Sequence, residues 1–264
     1  MDRHSAVRAF EDYSGRYDAG DIMIKLKIEH TYRVADIAER IAKSIRADVD
    51  FAWFCGLLHD IARFEQWKTY GTFKDASSVD HAELGADLLF GKEDLISIFP
   101  DTETSVHDWR KVCEAAVRYH NRLNLPDGLD EQTKLYCDII RDADKIDILR
   151  VMTEPPYDER NEKLKVMTTP ASDEVMRCVR EHRCVPRNAI SNIFESRIGQ
   201  CCMGFELVFP ESIVIVREQG YLLSLLDLDI PDARLKEQLN TLRGELYATW
   251  ESKASYISQE KTNG

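Results

Sequence analysis

Five separate segments of this 264-residue chain each set a metal-ligand side chain on an otherwise apolar helical stripe. They carry His30, the adjacent pair His59 and Asp60, His81, His120, and Asp144 within Asp-Ala-Asp-Lys. His30 shares its stripe with Leu26, Val34 and Ile37. His59 follows Ala52 and Cys55, whereas Asp60 follows Trp53 and Gly56. His81 leads Leu84, Gly85 and Leu88, and His120 ends a run through Trp109, Cys113 and Ala116. Asp144 continues Cys137 and Ile140. A hydrogen-bonded core imidazole accounts for any one of these histidines alone. A core carboxylate is different, because an ionised aspartate taken from water needs a compensating cation. Five such insertions share one economical cause, a pair of metal ions held inside a helical bundle.

Adjacent helical residues point about 100° apart, so His59 and Asp60 cannot both serve one stripe. They can do so at a helix end, or with the carboxylate bridging two ions beside the helix. Nitrogen and oxygen donors without thiolate suit iron, manganese, cobalt, nickel or zinc in an open site rather than a closed structural zinc. Two ions about 3.5 to 4 Å apart clamp a phosphoryl group and generate hydroxide between them.

The elements that must position these residues read as helices throughout, and the fold class expected is all-α. The spacing of apolar residues predicts helices over 6–17, 23–46, 51–67, 80–90, 106–121 and 131–152. It predicts four more over 172–182, 188–208, 211–228 and 232–258. Asp80 stands as N-cap with Glu83 three residues on, a capping-box pattern. Residues 71–78 form a polar loop. The stretch Thr153 to Thr169 mixes charge with proline and reads as a linker. This divides the chain into a metal-binding helical core over 1–152 and a helical C-terminal extension over 153–264, packed on the core. No internal repeat and no alternating strand pattern is visible.

A formal net charge of -12 argues against a general nucleic-acid or anionic-membrane binder, since phosphate backbones demand basic surface. A small phosphorylated substrate needs only a few local cations. Seven cysteines without a regular framework fit a reducing compartment, and Cys201 and Cys202 read as core. No signal-peptide apolar region opens the chain and no stretch is long enough to span a bilayer. A soluble cytoplasmic protein, able to form homo-oligomers, is expected.

The order His, His-Asp, His, His, Asp resembles the HD-domain superfamily of metal-dependent phosphohydrolases, in its dinuclear subgroup. The likeness runs from about Lys25 to Arg150. It rests on Glu-His-Thr-Tyr-Arg-Val-Ala, Leu-Leu-His-Asp-Ile-Ala-Arg-Phe-Glu, Ser-Val-Asp-His-Ala-Glu-Leu-Gly-Ala, Arg-Tyr-His-Asn and Asp-Ala-Asp-Lys-Ile-Asp. The resemblance implies His30, His59, Asp60 and Asp144 as shared metal ligands, with His81 and His120 as the two extra histidines of the dinuclear subgroup. Asp144 is preferred to Asp142 by one helical step. Two divalent or mixed-valent transition metal ions are implied, iron or manganese foremost, with magnesium, cobalt, nickel or zinc as alternatives.

Some nucleotidase and alarmone-hydrolase relatives place a glutamate three residues after the aspartate of His-Asp, and Arg63 stands there instead. Its guanidinium suits a phosphate oxygen, because it presents paired donors; a salt bridge to Glu65 is the structural alternative. Lys145, Arg33, Lys74 and Arg122 are further phosphate candidates, and the loop from Lys68 to Lys74 is a candidate substrate cover. Glu29 could orient a ligand. The function expected is hydrolysis of a nucleotide-type phosphoester or pyrophosphate by a metal-activated hydroxide. Asp60 bridges the ions, and Arg63 and Lys145 stabilise the transferring group. A mixed-valent di-iron oxygenase of the same superfamily and a non-catalytic metal-dependent regulatory module are the alternatives.

Overall fold

The computed structural model describes residues 2–100, 103–155, 163–164 and 166–260, and among these every regular element is helical. The chain divides into two compact units, Met1–Asp144 and Lys145–Gly264. Within the region read as a linker, residues 156–162 and 165 lie outside the described residues.

The first unit is built from α1 (Arg3–Ser14), α2 (Ile22–Ser44), α3 (Val49–Leu58), α4 (Arg63–Tyr70), α5 (His81–Phe90) and α6 (Trp109–Tyr119). The first two-thirds of α7 (Glu131–Val151) completes it. Aspartates start several of these helices. Asp21, Asp48 and Asp80 each accept a backbone N–H from the first turn of α2, α3 and α5 respectively. Glu83 does not close a reciprocal box with Asp80, because its carboxylate is taken by Arg118 and Arg122.

The core of this unit is α3, in which residues 51–58 are all buried. Helix α2 lies directly against it. A Cβ added to Gly56 would stand 2.7 Å from the Ala35 Cα, so only glycine permits this backbone approach. Phe10 packs edge-on against Tyr32 and Phe64, fastening α1 over α2 and α4. Helices α5 and α6 approach through Gly85, whose added Cβ would meet Val117 at 3.4 Å, an ordinary contact distance.

Several predicted elements need correction. The single helix over 51–67 is two helices, α3 and α4, separated by the turn His59–Ala62. Backbone bonds from Ile61 N–H to the Leu58 carbonyl and from Arg63 N–H to the Asp60 carbonyl tighten the chain there. Apolar periodicity continues across that turn, which is why the pattern alone conceals it. The first helix runs earlier than 6–17 because Asp2 caps it. The helix over 106–121 shortens to α6 and is preceded by a 3₁₀ turn at Leu95–Ile98 that the pattern missed.

The second unit contains α8 (Asp173–Arg180), α9 (Ile193–Cys201), α10 (Pro210–Gln219), α11 (Tyr221–Leu226) and α12 (Ala233–Glu260). The helix predicted over 188–208 is α9 flanked by 3₁₀ turns at Arg187–Ala189 and Cys202–Phe205. The helix predicted over 211–228 breaks at Gly220, whose φ of 72° ends α10 in a left-handed cap. Trp250 is fully buried and donates its indole N–H to the Gly204 carbonyl at 3.0 Å. Glu195 ties the chain ahead of α8 to α9, accepting from the backbone N–H groups of Ser172 and Ser191 and from the Ser191 hydroxyl. Cys201 and Cys202 are buried, and all seven cysteines are free thiols.

Candidate metal centre

Four of the six ligand-type residues stand at a helix end or in a turn, whereas His30 and Asp144 lie within α2 and α7. His30 lies mid-way along α2, and the Gly56 approach brings α3 against it. His59 is the C-cap of α3, and its Nδ1–H donates to the Gly56 carbonyl at 2.7 Å, which directs Nε2 inward. The tight turn that follows lets Asp60 face the same interior as His59, resolving the 100° problem of adjacent residues on one helix. His81 is the first residue of α5, set by the Asp80 cap. His120 caps the C-terminal end of α6 and donates Nδ1–H to the Val117 carbonyl at 2.7 Å.

The structure gathers these side chains into two trios. In one, ligand atoms of His30, His59 and Asp144 lie within 4.8 Å of one another; in the other, those of Asp60, His81 and His120 do. Asp60 faces both. Its Oδ2 stands 3.5 Å from His30 Nε2 and 3.6 Å from His59 Nε2. Its Oδ1 stands 3.4 Å from His81 Nε2 and 3.7 Å from His120 Nε2. Asp144 Oδ1 closes the first trio at 3.2 Å from His30 and 3.7 Å from His59. Asp142 is buried but belongs to neither trio.

The fit of these residues to cations follows from the proton inventory. The outer nitrogen of His81 donates to Asp75 at 2.9 Å and that of His120 donates to Val117, so both Nε2 atoms are acceptors. Yet the two Nε2 atoms are 2.9 Å apart. Burial lowers the His81 imidazole below its ordinary value, aided by the charge of Arg63 and opposed by Asp75. Burial, with His81 and His59 nearby, pushes His120 down to about 3, which disfavours a proton between the two rings. Two opposed lone pairs at this distance suit one electrophile. Metal–nitrogen bonds of about 2.1 Å at a right angle would set the donors about 3 Å apart.

The carboxylates are kept ionised. Burial alone would raise the Asp60 carboxyl, but the charges of Lys27 and Arg63, with the neighbouring His59 and His30 rings, outweigh it and hold it well below the usual range. Asp144 is likewise held well down against burial, by its bonds to His30 and His59.

Three surrounding residues escaped the sequence reading. Lys27 Nζ sits 2.7 Å from Asp60 Oδ2, one helical turn before His30 on the same face of α2, a spacing that could have flagged it. Asp75 lies one residue beyond the loop singled out as a cover; besides His81 it accepts from Arg63 at 3.1 Å and Gln66 at 3.0 Å. Gln66 also donates to Ser78 and to the Val79 carbonyl. Nothing in a short polar loop distinguishes such a partner from an ordinary turn residue.

The phosphate candidates separate. Arg63 reaches Asp60 at 3.3 Å, Gln66 at 2.8 Å and the Phe73 carbonyl at 2.9 Å, while Glu65 is engaged by Tyr17 and Thr69. Arg122 binds Glu83 at 2.5 Å and Lys145 binds Glu206 at 2.8 Å. Lys74 is exposed. Glu29 lies 3.9 Å from both Lys25 and Arg33 on the outer face of α2. Among the described residues no helix is long and apolar enough to cross a membrane.

Searches of curated proteins and of solved structures found no match. The family model of the HD domain, in contrast, matches residues 28–149, a segment that contains all six residues of the two trios. HD domains bind divalent metals and belong mostly to metal-dependent phosphohydrolases. Residues 28–149 of the chain therefore form an HD-type domain.

Proposed function

We propose that the protein is a dinuclear metal-dependent phosphohydrolase acting on a small phosphorylated substrate, a nucleotide-type phosphoester or pyrophosphate. The observation that carries this reading is the opposed Nε2 pair of His81 and His120 beside one oxygen of Asp60, with His30, His59 and Asp144 around the other side. Such a donor set would hold two ions, one per trio, with Asp60 as the shared carboxylate. When bound, the ions would supply a water activated near neutral pH and positive charge against phosphoryl oxygens.

The protein's own groups then have distinct tasks. Gly56 and Val117 carbonyls and the Asp75 carboxylate hold three imidazoles in the tautomer that turns Nε2 inward. Arg63, steadied by Gln66, Asp75 and the Phe73 carbonyl, is placed to orient a phosphoryl oxygen. Lys145 would serve only after leaving Glu206, so the orienting role falls to Arg63. The cluster of nearly fully buried histidines keeps bulk water from the ligand side of the centre.

Metal analysis of the purified protein, coupled to a phosphoester and nucleotide panel run with and without oxygen, tests this reading. Two transition ions per chain with oxygen-independent phosphate release is the expected result. Turnover that requires oxygen and iron would replace it with oxygenase chemistry, and metal-dependent melting without turnover would leave a regulatory module.

A further inference from the structure

Lys27 contacts the centre but belongs to neither ligand trio. Its ammonium occupies the same carboxylate oxygen, Asp60 Oδ2, that faces His30 and His59. An oxygen that also served a divalent ion would bring the ammonium into repulsive range of it, because like charges a few ångströms apart in a site shielded from water are strongly disfavoured. Arginine in that place would be bound by its planar fork, but a lysine stem has free rotors and a single compact charge, so it can relocate.

The direction of relocation is set by the less buried side of the site. The side chains of His59 and Asp60 are 0% and 3% exposed, whereas Lys27 is 12%, Arg63 14% and Asp144 12% exposed. Lys27 and Arg63 also share one aromatic surface, with their charges 5.4 and 5.6 Å from the Phe73 ring centroid. The two cations therefore lie on the less buried side of the centre, each near the same ring. We propose that Lys27 is a substrate-anion-binding residue: it pairs with Asp60 only while the centre lacks its cations, and exchanges that carboxylate for a phosphoryl oxygen once they are in place. Lys27 and Arg63 would then grip a phosphate from two sides, which favours a substrate whose phosphate is dianionic and terminal. This rests on the reading of the two trios as a metal centre.

The test uses the full chain loaded with Mn²⁺, with inorganic phosphate as probe. In Lys27→Met, Mn²⁺ content should equal that of the unaltered protein, while phosphate affinity measured by calorimetry falls roughly ten- to a hundredfold, the weight of a charged hydrogen bond. Lys27→Arg should recover part of that loss. Independently, lysine-directed acylation of the unaltered protein, read by mass spectrometry at Lys27, should increase on adding Mn²⁺ and decrease again on adding phosphate. Unchanged phosphate affinity in Lys27→Met, loss of Mn²⁺ from that variant, or acylation indifferent to Mn²⁺ would each overturn the proposal and leave Lys27 as a prop for Asp60. If Lys27→Met does not fold, the acylation result decides. If the unaltered protein takes up no Mn²⁺ or other transition ion, the metal-centre reading itself fails, an outcome separate from a loaded centre indifferent to Lys27.

Discussion

The Nε2 atoms of His81 and His120 stand 2.9 Å apart, each with its outer nitrogen already donating, to Asp75 and to the Val117 carbonyl. Two acceptors cannot bond one another, so the pair is destabilising until a cation joins it. Transition-metal ions are therefore expected to raise the melting temperature and a strong chelator to lower it. At a free-ion concentration about a hundred times Kd, the stabilisation is about 2.7 kcal/mol. Calorimetric melts with Mn²⁺, Zn²⁺ and chelator check this, and curves that coincide would count against a metal centre.

Asp144 and Asp142 are two residues apart on α7, and only Asp144 lies with His30 and His59. Asp144→Asn is expected to lower metal content to about one ion per chain or fewer, with loss of turnover, since a neutral amide is a poor substitute for a carboxylate ligand. Asp142→Asn should keep its metal. Paired metal analyses of the two variants decide, and the reverse outcome would move the ligand by two residues along α7.

Asp60 presents one oxygen to each trio. Asp60→Ala should deplete both ions and abolish phosphate release even after metal stripping and reconstitution. Retained activity in the reconstituted variant would remove Asp60 from the shared position.

Asp75 acts on His81 from outside, fixing its tautomer. Asp75→Asn is expected to weaken retention of one ion by about ten- to a hundredfold while sparing the other, the usual cost of losing a partner behind a ligating histidine. Competition with a graded series of chelators resolves the two ions. Equal loss of both would point to a general collapse of the loop.

Glu195, in the second unit, is held down to about 2 by hydrogen bonds from Ser191 and Ser172 that overcome the burial which would raise it. A carboxyl lowered in the folded state binds fewer protons there than in the unfolded chain. Its stabilisation is thus complete above about pH 4.5 and drains away between about 4.5 and 2. Glu195→Gln should lower stability near neutral pH by up to about 3 kcal/mol and flatten the acid limb of the stability curve. Urea unfolding at a series of pH values reads both effects, and parallel acid limbs would show the carboxylate contributes little.

Much of the site was legible because its residues violate the pattern around them. An imidazole or carboxylate on an apolar stripe is visible in one dimension, and the all-α class follows from the same periodicity that exposes the intrusion. The turn at His59–Ala62 was not legible, since Ile61, Ala62 and Phe64 continue the apolar pattern through it. Asp75 and Gln66 were hidden for another reason: each is an ordinary polar residue until the loop folds back on Arg63.

Sequence alone therefore singled out the six side chains that the fold gathers into the two trios, because burying His30, Asp60 or Asp144 without a partner is costly wherever the chain goes. Only the tertiary structure decided how they are shared. The Gly56 approach to Ala35 brings α2 and α3 into backbone contact, and the tightened turn after α3 rotates Asp60 into the gap between the trios. Which oxygen of Asp60 faces which histidines, and the cation Lys27 that rests on one of them, depend on distances between helices far apart in the chain. Periodicity reports a residue's face, but not what that face meets.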